Sequence, residues 1–202
     1  YPFDGSREQV EKFLDNLTGF EKYVYDTFPK NKGYLKFSGS QVGEHGGKGS
    51  YVSVIDSAGS IYPTLSKNNT GQTIIDPKKS NTMAFEFHLM VPSQSNDNQV
   101  VLQRASSENH GITIAISGSS SKSNCEIIFS VVSSSHYLSA STYLDKGKFN
   151  HFYAEFNRDD SKNKLSLVKN NKIRVTSSLR ANIHDFDFSG TNFLIGSGTA
   201  FN

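Results

Sequence analysis

Hydrophobic residues repeat with two different periods along the chain. In the first thirty residues they recur at helical spacing, and Ser6 followed three residues later by Gln9 forms a capping box. Pro29 then ends the pattern. We therefore predict a connector over residues 1–33 with one short helix, which either packs its apolar stripe onto the rest of the chain or serves in oligomerisation.

From Tyr34 onward the hydrophobic period is two, as in a strand with one buried face. Short strands are predicted at 34–38, 51–55, 83–91, 99–104, 111–117, 125–133, 137–143, 149–157, 164–169, 173–177 and 192–196. Turn residues such as Asn170-Asn171 separate them, a long polar segment covers residues 56–81, and no strand–helix–strand alternation is visible. This pattern predicts one all-β domain over residues 34–202, built as a sandwich or a barrel.

The alternation within strands also predicts which side chains face inward. Strand 83–91 places apolar residues at odd positions and the polar residues Glu86 and His88 at even ones, while strand 149–157 turns His151, Tyr153 and Glu155 outward. A one-residue slip would bury these polar sets, so the register is strongly constrained. The predicted interior residues are Phe85, Phe87, Phe152, Phe156, Leu165, Leu167 and Ile195.

Several sequence blocks resemble those of one known family. They are Tyr34-Leu-Lys-Phe-Ser-Gly39 with Ser50-Tyr-Val-Ser-Val54, Met83-Ala-Phe-Glu-Phe-His-Leu-Met-Val-Pro92, Phe149-Asn-His-Phe-Tyr-Ala-Glu-Phe-Asn157, Lys164-Leu-Ser-Leu-Val-Lys-Asn-Asn171 and Phe193-Leu-Ile-Gly196. In this order they resemble the laminin-G/pentraxin-like domains of the concanavalin A-like lectin/glucanase superfamily. The resemblance covers about residues 34–197. Phe149 stands where the family has tryptophan, and Asn171 where it has glycine.

The resemblance implies an all-β, two-sheet antiparallel jelly-roll sandwich and several kinds of function. The family includes lectins, calcium-dependent binding modules, toxin and adhesin domains, phage structural domains and some glycosidases and lyases. Because the matching blocks consist mostly of core and turn positions, they bear on fold more than on activity.

Composition narrows the function classes. With 21 Lys and Arg against 19 Asp and Glu, the chain has a net charge of +2 and lacks the basic excess expected for nucleic-acid binding. No apolar run approaches the ~20 residues of a membrane-spanning helix, so we expect no membrane insertion. The one cysteine, Cys125, continues an alternating strand and is predicted to be a small buried residue.

Evidence for catalysis in the sequence is weak. A glycosidase needs two carboxylates at a defined separation, and no strand carries such a pair in the usual pattern. Asp185 and Asp187 have the i,i+2 spacing that places two side chains on one face of a strand. The simpler interpretation is that they are polar positions flanking the buried residues Phe186 and Phe188. His151, Tyr153 and Glu155 form the most catalytic-looking set. We expect no enzyme activity, with polysaccharide cleavage as a lesser alternative.

Ligand sites are predicted from residue chemistry. For a glycan we select planar polar or aromatic side chains at positions taken as outward: His88, Gln103, Arg104, His151 and Tyr153. For calcium we select oxygen ligands in loops and at strand ends: Asp56, Asn157, Asp159 and Asp160.

Two function classes follow. The first is a non-catalytic recognition module that binds glycans or mediates adhesion at the surface of a virion, toxin or cell, with an extracellular or virion-surface location. The second is a structural domain of a capsid or tail assembly, whose partners are other subunits contacted through the N-terminal helix.

Overall fold

The computed structural model describes residues 34, 35, 37, 51–54, 82–93, 98–107, 110–118, 121–158, 163–179 and 191–198. The chain divides into two units, Tyr1–Lys36 and Phe37–Asn202, and every described strand belongs to the second. The predicted N-terminal helix and the polar segment 56–81 lie outside the described residues. Within the described residues, no helix has the length and apolarity needed to cross a membrane.

The described residues form ten strands: β1 (Val52–Val54), β2 (Thr82–Met90), β3 (Gln99–Ser107), β4 (His110–Gly118), β5 (Asn124–Ser133), β6 (His136–Asp145), β7 (Phe149–Arg158), β8 (Asn163–Lys169), β9 (Ile173–Leu179) and β10 (Phe193–Ile195). A six-stranded sheet has the order β1-β10-β3-β4-β5-β6, and a four-stranded sheet has the order β2-β7-β8-β9. All strand pairs are antiparallel. The all-β sandwich is therefore confirmed.

The predicted strands agree closely with those observed, with one exception. Each of the ten strands overlaps a predicted one. Tyr34, Leu35 and Phe37 lie outside any strand, so the strand predicted at 34–38 is not found at these three positions. Phe37 instead packs its ring against Gly196, where an added Cβ would lie 2.3 Å from the ring.

The pairing of β2 with β7 confirms the predicted register of the four-stranded sheet. Phe87 lies opposite Phe152, and their rings stack with centroids 5.6 Å apart. On the other face His88 lies opposite His151. Because side chains alternate along a strand, this one register places the phenylalanines inside and the imidazoles outside.

The core lies between the two sheets. Its fully buried members include Ile112, Ile114, Ile127, Phe129, Val131, Phe152, Ala154, Phe156, Leu165 and Leu167. Four of the predicted interior residues are in that set. Phe85 and Phe87 are half-buried and pack against the core, with Phe85 tilted on Phe193 at 6.2 Å, and Ile195 is also half-buried.

The β8–β9 turn fixes the end of the four-stranded sheet. Asn170 and Asn171 have φ of 52° and 55°, and the Lys172 N–H donates to the Lys169 carbonyl at 3.0 Å. Two central residues with positive φ define a type I′ turn, which asparagine tolerates nearly as well as glycine. Asn171 therefore adopts the left-handed backbone that glycine often supplies in such a turn.

Asn170 also bonds to β7. Its N–H donates to the His151 carbonyl and its Oδ1 accepts the His151 N–H, both at 2.8 Å. Its Nδ2 donates to Asn150 Oδ1 at 3.1 Å. The turn thereby holds the part of β7 that carries His151.

Truncating a core ring should cost far more than truncating its outward neighbour. Phe152→Ala removes a fully buried ring and should lower the free energy of unfolding by ~3–5 kcal/mol. Glu86→Ala, on the opposite face of the same sheet, should change it by less than ~1 kcal/mol. Denaturant melts check this, and the reverse ordering would contradict the register.

Replacing each turn asparagine by glycine should separate backbone from side-chain effects. Asn171→Gly keeps the positive φ and should leave stability unchanged within a few tenths of a kcal/mol. Asn170→Gly also loses the bond to the His151 N–H, and should cost roughly 0.5–1.5 kcal/mol. Equal melts for the two variants would show that the Asn170 side chain contributes nothing.

Candidate functional site

The outward face of the four-stranded sheet brings together ionisable and aromatic side chains from three strands. We call it the polar face; its members are Glu86 and His88 on β2, His151, Tyr153 and Glu155 on β7, and Arg174 on β9. Glu86 lies opposite Tyr153, and Arg174 lies opposite Val168, which in turn lies opposite Tyr153. The polar face is thus one contiguous surface.

His151 is held by a carboxylate and by a second imidazole. Its Nε2 lies 2.8 Å from Glu86 Oε1, and because a carboxylate only accepts, Nε2 carries the proton in this contact. The His88 ring lies 4.8 Å from the His151 ring, centroid to centroid, at 42°. The His151 side chain is only 18% exposed, whereas that of Glu86 is 67% exposed. The imidazole orientation is therefore fixed while the carboxylate stays accessible.

Tyr153 is a neutral donor bound to its neighbour on the same strand. Its hydroxyl donates to Glu155 Oε2 at 3.0 Å. This hydrogen bond raises the pKa of Tyr153, burial and the negative charges of Glu155 and Glu86 raise it further, and Arg174 partly offsets the rise. A phenol with a raised pKa remains protonated near neutral pH, so Tyr153 is suited to donating a hydrogen bond and unsuited to acting as a base.

Two carboxylates of the polar face come from neighbouring strands. Glu86 is opposite Tyr153 and Glu155 is opposite Ala84, so the glutamates are diagonal neighbours on one face. Such positions are roughly 7–8 Å apart. Each carboxylate already accepts a hydrogen bond, from His151 or from Tyr153. Spacing along a single strand does not reveal this pair, because its two members come from different strands.

Two predicted glycan ligands do not belong to the polar face. Gln103 and Arg104 lie on β3 of the six-stranded sheet and are only 6% and 2% exposed. Consecutive strand residues point to opposite faces, so the two could not both face outward. Arg104 lies opposite Phe193 and Ile112, which face the core, and its Nε donates to Thr191 Oγ1 at 3.3 Å. The prediction that both side chains face solvent is wrong.

Gln103 is buried on the other side of its sheet. Its Nε2 donates to Thr113 Oγ1 at 3.1 Å, and Thr113 is itself 1% exposed. An added Cβ on Gly198 would lie 2.4 Å from Gln103 Oε1, so the segment after β10 passes close over this side chain. In the described part of the chain, Gln103 is therefore buried and bonds to a neighbouring strand.

The calcium prediction remains a prediction. Asn157 is exposed near the end of β7, opposite Thr82 and Lys164. The other three candidates, Asp56, Asp159 and Asp160, lie outside the described residues, as do Asp185 and Asp187. Among the residues that are described, no group of three or more His, Cys, Asp or Glu side chains is placed to hold a metal ion.

Cys125 is buried, as predicted. It is 4% exposed, and burial raises the pKa of its thiol, with the Lys146 charge opposing this effect. A buried thiol with a raised pKa is a poor nucleophile. Because Cys125 is thereby excluded as a reactive thiol, the polar face is the candidate functional site.

The Tyr153–Glu155 hydrogen bond can be tested by titration. The phenol should titrate above the usual ~10 of tyrosine, and Glu155→Gln should shift that titration downward, because both the hydrogen bond to a carboxylate and its negative charge are removed. The stability that this bond adds is present below the ordinary tyrosine pKa and is lost as pH rises through the raised one. Ultraviolet difference spectra of the native chain, Tyr153→Phe and Glu155→Gln measure the shift. An identical titration in the native chain and in Glu155→Gln would contradict the coupling.

Comparison with known proteins does not identify a family for this chain, so its function is inferred from the chemistry of the polar face. No protein-family model matches this chain, and no curated protein matches it. The face offers carboxylate oxygens held in place by the His151 and Tyr153 donors and, at the next outward position of β7 before His151, Phe149, which is 43% exposed. This combination suits reversible binding of a polyhydroxylated ligand.

Proposed function

We propose that this chain is a non-catalytic recognition module that binds a glycan through the polar face of a laminin-G-like jelly-roll sandwich. The observation that carries the proposal is the pair of hydrogen bonds on an open sheet face, from His151 to Glu86 and from Tyr153 to Glu155. Side chains that are already oriented lose little conformational entropy when a ligand binds. A module that binds a glycan in this way would mediate adhesion at the surface of a virion, toxin or cell.

The chemistry of the face matches that of a sugar. Sugar hydroxyls need acceptors and donors at fixed positions, and Glu86 provides an exposed carboxylate beside the His88 and His151 rings. The C–H side of a sugar ring needs an apolar platform. Phe149 lies on the same face of β7, opposite Met90, and both are partly exposed. Polar contacts and an apolar platform thus adjoin each other.

The same contacts favour binding over cleavage. A glycosidase needs one carboxyl group as an acid and another as a base or nucleophile. Here both carboxylates accept hydrogen bonds from neighbouring side chains, and the raised pKa of Tyr153 keeps its phenol protonated. We therefore expect no release of reducing ends or unsaturated products from a broad polysaccharide panel.

Alanine substitutions on the polar face test the proposal. His151→Ala and Tyr153→Ala should each weaken binding on a glycan array by roughly tenfold, the cost of about one good hydrogen bond, and should leave the melt almost unchanged. Thr176→Ala is the matched control, because Thr176 is an exposed residue of β9 outside the set of planar groups. Equal binding by all three variants would contradict a site on this face.

Catalysis is the outcome that would replace the proposal. Turnover of any polysaccharide that disappears in a folded Glu86→Gln or Glu155→Gln variant would establish the cross-strand carboxylates as catalytic. Binding to no glycan at all would remove the recognition function and favour the assembly role.

A further inference from the structure

Three turns converge at one end of the sandwich. The turn over residues 146–148 joins β6 to β7, and it bonds to two neighbours: the Lys146 N–H donates to the Ser123 carbonyl at 2.9 Å and the Gly147 N–H to the Val91 carbonyl at 2.7 Å. The segment before β5 and the end of β2 are thereby fixed beside it. The β8–β9 turn lies next to the start of β7 through the bonds of Asn170 to His151.

This end, which we call the basic end, concentrates positive charge. It carries three exposed lysines, Lys122, Lys148 and Lys172, together with the half-buried Lys169, whose Nζ donates to the Tyr143 carbonyl, and the buried Lys146; its described acidic residues are Asp145 and Glu126. Among the described residues of this end, five lysines and two carboxylates sum to +3, whereas the entire chain has a net charge of +2. Lys148 and Asp145 form an ion pair at 3.7 Å, and their side chains are 73% and 68% exposed; an exposed pair of this kind attracts weakly.

Exposed apolar side chains lie directly beside the lysines. Phe149 follows Lys148 and is 43% exposed, while Ile173 follows Lys172 and is 45% exposed. Met90, opposite Phe149, is 39% exposed. Two turns of the same end thus present a lysine at the tip and an apolar residue at the first position of the next strand.

We propose that the basic end docks peripherally on an anionic membrane surface. Lysines near such a surface are attracted to acidic lipid headgroups, and their aliphatic stems can lie along the interface. Ile173 favours a lipid over an acidic polysaccharide, because its exposed aliphatic side chain gains by leaving water and offers a sugar no hydrogen bond. The basic end docks without a spanning segment, and the polar face contributes none of the five lysines.

Vesicle sedimentation of the full chain, without glycan, tests the docking. The chain should sediment with vesicles of equimolar phosphatidylcholine and phosphatidylserine and stay in solution with pure phosphatidylcholine, and added salt should weaken the binding. Lys172→Gln should weaken it about fivefold, the effect of roughly one charge near an anionic surface. Lys164→Gln is the matched control, because Lys164 lies at the other end of β8, opposite Asn157; it should bind like the native chain.

Combined variants sharpen the test. Replacing Lys122, Lys148 and Lys172 together by glutamine should weaken binding about a hundredfold, since the three effects multiply. Ile173→Ser should weaken the part of the binding that persists at high salt. Circular dichroism melts of each variant confirm that a lost interaction is not lost folding.

Several results would overturn the docking proposal. These are equal sedimentation with both vesicle types, no sedimentation with either, or an effect of Lys164→Gln equal to that of Lys172→Gln. None of them bears on the polar face, whose variants are read on the glycan array. The two proposals therefore fail or stand separately.

Discussion

The register between β2 and β7 is the constraint on which the rest of the structure depends. Phe87 against Phe152 and His88 against His151 are consecutive pairs of one ladder. Shifting either strand by one residue would place imidazoles and carboxylates between the sheets and phenylalanines in water. The cost of burying those polar groups without partners makes the correct register far more stable than its neighbours. Core and polar face are therefore two consequences of a single pairing.

The sequence predicts most of the described fold because its signals are local. Apolar alternation gives the strands, and Asn170-Asn171 gives a turn that needs two positive φ angles. It fails where the two faces of a strand have to be told apart by what covers them. Gln103 and Arg104 are both polar, yet Arg104 faces the core beside Phe193 and Ile112, and the segment after β10 passes over Gln103 on the other face.

The candidate site was predicted only in part for the same reason. His88, His151 and Tyr153 are found together because each obeys alternation on adjacent strands. The bond from His151 to Glu86 and the diagonal of Glu86 and Glu155 depend on which strand lies beside which, and no spacing within one strand contains that information. The basic end is still less accessible to sequence reading, because its turns are far apart along the chain and the overall charge is nearly balanced.

The burial of Cys125 makes the chain's one thiol a natural reporter of motion. Alkylation needs a thiolate in contact with the reagent, and in the closed sandwich both the raised pKa and the 4% exposure prevent this. Labelling must then proceed through openings that separate β5 from the opposing sheet. Its rate measures how often that part of the core opens, in the way that amide hydrogen exchange measures local unfolding. The alkylation rate of Cys125 thus reports how often the core around β5 opens.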